Sequence, residues 1–309
     1  MNHPAGAGIF CLSTVLVSLV SANGMSKAQS RPSFAPEVKI QSEDYVRARN
    51  HFHTKLLKTG PAPQPFDPLR LPSGVSEIEY RSGSLRLKAW INRPDATSKR
   101  KSPAVLFLHG GYAFDQGDWE MSRPYRDAGF IVMTPILRGE NGQPGSYSLF
   151  YDELDDVVAA AGYLYGQSYV DRNRFYVAGA SVGGTMTMLA AMTYPHFTAA
   201  ASISGSPDQI LLLRYAFAER KGDIPFDQSD PKEVELRSPL AYAGSIKCPI
   251  RIYYGSEEPQ FVLTSRRTAE IARQHGIDAE AQQVTGDHNS VDLPAITLSI
   301  AFFRQLERR

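Results

Sequence analysis

Residues 179–183 read Gly-Ala-Ser-Val-Gly, and the chain on either side constrains what they can be. Upstream, Arg174-Phe175-Tyr176-Val177-Ala178 is short, aromatic and β-branched, as a strand would be. Downstream, residues 185–192 are rich in Ala, Met and Leu, as a helix would be. Ser181 therefore falls at a strand-to-helix turn. A turn that sharp drives its central residue into a strained backbone conformation, and small neighbours two positions away let the chain fold back without clashing. The pattern is that of a nucleophile elbow, which stands Ser181 Oγ clear of the end of a sheet. A glycine-rich turn without chemistry is the plain alternative, and the flanking strand and helix argue against it.

The chain is 309 residues long and 42% hydrophobic, enough for one large α/β domain with additions. Its formal net charge is +1 with no long run of one sign, so neither nucleic acid nor another polyanion is expected as a partner. Two cysteines, Cys11 and Cys248, exclude a disulfide framework. Residues 8–22, GIFCLSTVLVSLVSA, are uncharged and apolar and end in small residues. At about fifteen residues the run is short of the roughly twenty that span a bilayer, so it predicts a signal peptide over residues 1–22 and an exported protein, periplasmic or secreted. No stable membrane insertion is expected after its removal. A start at Met25 would instead give a cytoplasmic form. Cys11 opens the apolar run, which argues against a lipoprotein anchor.

Residues 23–70 form an N-terminal extension, with a helix predicted over 42–58, capped by Ser42, and a stiff Pro-rich linker over 59–65. His51 and His53, two apart in that helix, point to different faces and do not make a metal pair. From residue 71 onward the main domain begins. Residues 76–80 and 85–90 alternate polar with apolar, predicting an antiparallel hairpin, whereas residues 104–108 are continuously apolar, as in a strand buried on both faces. Further strands are predicted at 130–134, 174–178, 199–203, 249–254 and 279–284, with helices at 119–128, 150–165, 262–275 and 294–306. Strands alternating with helices imply an α/β fold: a mostly parallel, eight-stranded-type sheet with helices on both faces. Over forty residues separate the sixth and seventh strands. Such a length predicts a cap or lid over about 205–247, or a helical excursion packed against the sheet.

Acyl transfer through a serine needs a base, an acid to orient that base, and donors for the developing oxyanion. Of seven histidines, only His288 follows the last strand in a loop, Thr285-Gly286-Asp287-His288-Asn289, where the order serine, acid, histidine puts the base. After the strand at 249–254 the chain reads Gly255-Ser256-Glu257-Glu258-Pro259. Glu258, three residues past the strand-ending glycine, is the candidate acid, with Glu257 as the fallback. His109-Gly110-Gly111-Tyr112 follows the buried strand, and its backbone at Gly111 and Tyr112 should supply an oxyanion donor alongside the Val182 N–H. His109 itself reads as a brace for that loop. No His/Cys/carboxylate spacing suits a metal and no phosphate loop or dinucleotide fingerprint occurs, so no cofactor is implied. The partner expected is a small-molecule or short-peptide acyl substrate.

With these motifs in order, the sequence from about Val75 onward resembles the α/β-hydrolase superfamily, on the branch that joins prolyl-oligopeptidase-type catalytic domains with dienelactone-hydrolase-like esterases. The resemblance rests on His109-Gly110-Gly111, Arg138-Gly139-Glu140-Asn141-Gly142, the helix opening at residues 152–156, and Val170-Asp171-Arg172-Asn173-Arg174 leading into Gly179-Ala180-Ser181-Val182-Gly183-Gly184. Ser238-Pro239 and Cys248-Pro249 ahead of the acid strand complete it. It implies Ser181 as nucleophile, His288 as base and an acid at Glu258, where the family normally has Asp, with Arg138 and Asp155 or Asp156 as structural braces. Peptidase relatives carry a large β-propeller before this domain, which favours ester over amide or peptide cleavage here. A serine peptidase of prolyl-oligopeptidase type and a non-catalytic binding protein are the alternatives.

Overall fold

In the computed structural model, which describes residues 34–93, 100–218 and 221–307, the elements follow the periodicity of the chain. The signal peptide expected over residues 1–22 lies outside the described residues. The alternating segments form the hairpin β1 (Val75–Ser82) and β2 (Leu85–Asn92), paired antiparallel. β3 (Ser102–Leu108), β4 (Ile131–Pro135), β5 (Val170–Ala180), β6 (Ala199–Ile203), β7 (Ile250–Gly255) and β8 (Ala279–Val284) complete an eight-stranded sheet in the order β1-β2-β4-β3-β5-β6-β7-β8. β2 meets β4 antiparallel, and every pairing from β4 across to β8 is parallel.

The continuous apolar strands are buried twice over. Ala104, Leu106 and Leu108 of β3 enter one core, and Val105 and Phe107 enter the other. In β5, Phe175 and Val177 face the first, and Tyr176 and Ala178 the second. Period-two side chains thus fill two layers from a single strand, each large one contributing about 1.5–3 kcal/mol. The first core is closed by α1 (Tyr45–Asn50), α4 (Glu153–Tyr165), α5 (Val182–Thr193) and α8 (Pro259–Gln274), the second by α2 (Gln116–Met121), α3 (Arg123–Asp127) and α9 (Asp292–Leu306).

Two helices differ from expectation. The segment predicted as one helix over 119–128 breaks at Ser122 into α2 and α3, because Pro124 lacks the N–H that a continuous helix would use. The helix predicted over 42–58 is only α1, six residues long, and its cap is Asp44, which accepts from the Arg47 N–H, rather than Ser42. Past His51 the chain is drawn off the helical path by distant partners. Lys55 N–H donates to Glu233 Oε1 (2.8 Å), Leu57 N–H donates to Pro225 O (2.7 Å), and Leu56 bridges to Phe226. Tertiary bonding overrides the helical spacing of Phe52 and Leu56.

The insertion between β6 and β7 carries α6 (Gln209–Tyr215), a 3-10 turn at Lys221–Asp223, α7 (Pro231–Glu235) and a 3-10 segment at Pro239–Ser245. Leu236, Leu240, Ala241, Tyr242 and Ala243 are buried in the first core. This half of the insertion is therefore a helical excursion packed on the body, while Phe217, further upstream, reaches the ring of Tyr112 in the glycine loop (6.2 Å between centroids).

Candidate active site

At the end of β5 the chain turns directly into α5, and Ser181 occupies the turn with φ 54° and ψ −116°. A serine held there stores strain of about 1–3 kcal/mol. The surroundings enforce it: Ser181 N–H donates to Ile203 O on the neighbouring strand (2.8 Å), and Thr185 N–H donates back to Ser181 O (3.1 Å). Gly183 is obligatory, since a Cβ there would lie 2.0 Å from the carbonyl oxygen of Leu108. The elbow thus packs backbone on backbone against the end of β3, beside the glycine loop.

The structure brings Ser181, His288 and Glu258 into one hydrogen-bonded chain. His288 Nε2 lies 2.9 Å from Ser181 Oγ, and His288 Nδ1 lies 2.5 Å from Glu258 Oε1. His288 sits in the loop after β8, which Asp287 shapes by accepting from the Asn289 and Ser290 N–H groups (3.1 and 2.8 Å). Glu258 is 1% exposed whereas Glu257 faces solvent, so the burial needed to orient a base falls to Glu258.

Glutamate carries one more rotatable bond than aspartate, and the site restrains it. Glu258 Oε2 accepts from Ser204 Oγ (2.6 Å) and from the Gly255 N–H (2.6 Å), leaving Oε1 for His288. Burial by itself would raise the Glu258 pKa, but the hydrogen bonds from His288 and Ser204 outweigh it and hold the carboxyl below its ordinary range. Burial would likewise lower the His288 pKa, yet the bond to Glu258 and its charge lift it above the usual histidine value. Asp292, in the first turn of α9, is pushed up by burial to about 7, with His288 opposing the rise.

Sequence reasoning missed Ser204. It directly follows β6, which lies in the sheet between the strands that carry Ser181 and Glu258, and its φ of 47° is unusual for a serine. The order of strand ends was the available signal.

The glycine loop lies against the elbow, for a Cβ on Gly110 would stand 3.6 Å from Cβ of Ser181. Val182, as the first residue of α5, has no helical partner for its N–H, and so offers a donor beside Ser181. His109 braces the loop from below: Nδ1 meets Gly110 O (2.8 Å) and Nε2 meets Glu140 Oε2 (3.0 Å). Burial opposes its charge, but the Glu140 carboxylate beside it lifts the His109 pKa to about 10. Arg138 joins Asp156 through two guanidinium nitrogens (2.9 and 2.7 Å), and Asp155 instead meets Arg49 of α1 (2.9 Å).

The Tyr112 N–H, one of the groups expected to face an oxyanion, is taken by a residue that the sequence placed in a linker. It donates to Gln64 Oε1 (2.8 Å). Among the described residues, no group of three or more His, Cys, Asp or Glu side chains is arranged to hold a metal ion.

A relay of this geometry can move a proton from a serine hydroxyl to an imidazole held in one tautomer by a buried carboxylate. Residues 118–286, which include the elbow and Glu258, match the prolyl oligopeptidase family. The chain belongs to the prolyl oligopeptidase family. It is a serine hydrolase with the α/β-hydrolase fold. Among curated relatives of this family member, a Bacillus subtilis protein named "Uncharacterized peptidase YtmA" is 28% identical over 193 residues, covering 59% of this chain and 72% of that protein. A second B. subtilis protein, named "Putative esterase YitV", is 22% identical over 227 residues, covering 66% of this chain and 89% of its own. Among solved structures, the acylaminoacyl peptidase of Pyrococcus horikoshii superposes with a TM-score of 0.61 at 22% identity, over 74% of this chain and 41% of that one. At that identity the likeness speaks to the fold.

Proposed function

We propose that this family member hydrolyses carboxylic esters through an acyl-enzyme on Ser181. Ser181 Oγ attacks the acyl carbon as its proton passes to His288 Nε2, and Glu258 Oε1 keeps the Nδ1 proton in place. The tetrahedral oxygen takes hydrogen bonds from the N–H groups of Val182 and Gly111. His288 then returns the proton to the leaving alkoxide, and a water activated by the same imidazole releases the acid. The observation that carries this reading is the chain of 2.9 and 2.5 Å contacts from Ser181 through His288 to a buried carboxylate.

Preference for esters is supported by coverage: the match to the protein named as an esterase runs over 89% of that protein, against 41% for the acylaminoacyl peptidase structure. The match to YtmA, over 72% of a protein named as a peptidase, favours short peptides or aminoacyl amides as the second reading. Labelling with a fluorophosphonate probe, with the site mapped by mass spectrometry, tests the acyl-enzyme; a folded protein left unlabelled at Ser181 refutes it. A panel of p-nitrophenyl esters and aminoacyl amides of graded size separates the two readings, and turnover of amides alone overturns the first.

A further inference from the structure

Residues 61–65 place a proline at every second position, Pro61, Pro63 and Pro65. Each locks its own φ, so the segment loses little chain entropy when it docks. It is pinned on its way: Gly60 N–H donates to Ser146 Oγ (3.2 Å), Tyr147 N–H donates to Gly60 O (2.9 Å), and Ala62 N–H donates to Gly139 O (2.9 Å). These contacts bring the side chain of Gln64 onto the glycine loop. Its Oε1 accepts the Tyr112 N–H at 2.8 Å, and its carboxamide packs against Gly111, where a Cβ would come within 2.6 Å of Oε1 and 3.2 Å of Nε2.

The loop needs such a restraint. Gly110 and Gly111 are consecutive glycines, the residues with the widest backbone freedom, and Gly111 holds φ at 66°. The N–H that Gln64 holds belongs to the peptide joining Gly111 to Tyr112. Holding that peptide fixes the plane that follows the Gly111 Cα, and, with φ of Gly111 at 66°, this limits the direction in which the Gly111 N–H one peptide earlier can point. We infer that Gln64 is a positioning residue for the oxyanion donor: the N-terminal strap fixes the glycine loop so that the Gly111 N–H meets the oxygen of a substrate attacked by Ser181. The inference rests on the acyl-enzyme reading. Gln64 lies outside residues 118–286, over which the family match runs.

The test is the rate of fluorophosphonate labelling as a function of pH in wild type, Gln64→Ala and Gln64→Met. Methionine keeps the length and bulk over Gly111 but offers no acceptor of comparable strength to the Tyr112 N–H, so it separates the bond from the packing and guards against a variant that fails to fold. Both variants are expected to lower the plateau rate about tenfold, as a slightly misdirected donor would. The pH midpoint of the profile should stay at the wild-type value, because His288 and Glu258 are untouched. A plateau within twofold of wild type in either variant overturns the inference. So does faster labelling, which would mean that the strap blocks the site, and so does a shifted midpoint, which would route the loss through the relay. Wild type that does not label at all is a different result and refutes the acyl-enzyme reading itself.

Discussion

The two sides of the site are built in opposite ways. Ser181, Ser204, Glu258 and His288 stand just past the ends of β5, β6, β7 and β8, four neighbouring strands, so sheet order alone brings them together. The strap over residues 34–66 has only α1 as regular structure among these residues and is held by separate hydrogen bonds, backbone and side-chain, to distant parts of the chain. Val38 N–H donates to Asp208 Oδ2 (3.0 Å), Tyr45 N–H to Ser245 Oγ (2.9 Å), Tyr45 Oη–H to Leu236 O (2.8 Å), and Thr54 Oγ–H to Glu233 Oε2 (2.7 Å). Strand ends set positions through a rigid ladder. The strap depends on a few buried polar groups, each of which must be satisfied to contribute at all.

If that contrast is right, lesions on the strand side should remove chemistry while sparing stability, and lesions on the strap side, Gln64 at the glycine loop apart, should cost stability while leaving the relay intact. The largest effect expected is Ser181→Ala, which abolishes probe labelling and lowers turnover about a millionfold, with the urea midpoint little changed because alanine keeps the Cβ and so the same backbone strain. Next, Glu258→Gln should lower the plateau of kcat/KM by about ten-thousandfold. The same substitution should shift its acidic limb. Because Glu258 is what lifts the His288 pKa against burial, and the base works only when neutral, the wild-type limb lies above the ordinary histidine value and the variant's limb moves to lower pH.

On the strap side, Arg237→Met should produce the largest loss of stability. Arg237 is fully buried and donates to Glu233 Oε2 (2.5 Å), Leu149 O (2.7 Å) and Thr54 Oγ1 (2.8 Å). Its removal leaves the Glu233 carboxylate without a counter-charge, a penalty of about 3–5 kcal/mol readable as a fall in urea midpoint. Adding Glu233→Leu should recover part of it, while the pH midpoint of labelling in the folded protein stays put. A stable Arg237→Met protein would break the comparison.

The smallest effect sharpens it. Ser204→Gly removes the hydroxyl on Glu258 Oε2 but suits the φ of 47°, so turnover should fall about tenfold with no loss of stability. Equal turnover would leave the Gly255 N–H as a sufficient restraint on the acid.

Much of this was legible beforehand because it is periodic or local. Strand and helix alternation laid out the sheet, and Ser181, His288 and Glu258 each followed from a position just past a strand. The choice between Glu257 and Glu258 was read from offset, and the structure separates them by burial. The helix expected over 42–58 was misread because Phe52 and Leu56 carry helical spacing while Lys55 and Leu57 bond to the insertion. Tyr112 was read as an oxyanion donor because its loop was identifiable, and the side chain that takes its N–H lay 48 positions away in a proline-rich stretch with no motif.

By itself the sequence determined the sheet, the elbow and the order of the serine, carboxylate and histidine that the fold joins by hydrogen bonds, since these depend on side-chain period, glycine sterics and which residues end strands. Tertiary structure alone decided how the carboxylate is clamped by Ser204, how Arg237 and Glu233 stitch the strap to the insertion, and where Gln64 comes to rest. Those are pairings of single polar groups across long stretches of chain. No local pattern encodes them, because a hydrogen bond needs its two atoms within about 3 Å and only the folded backbone determines which atoms meet.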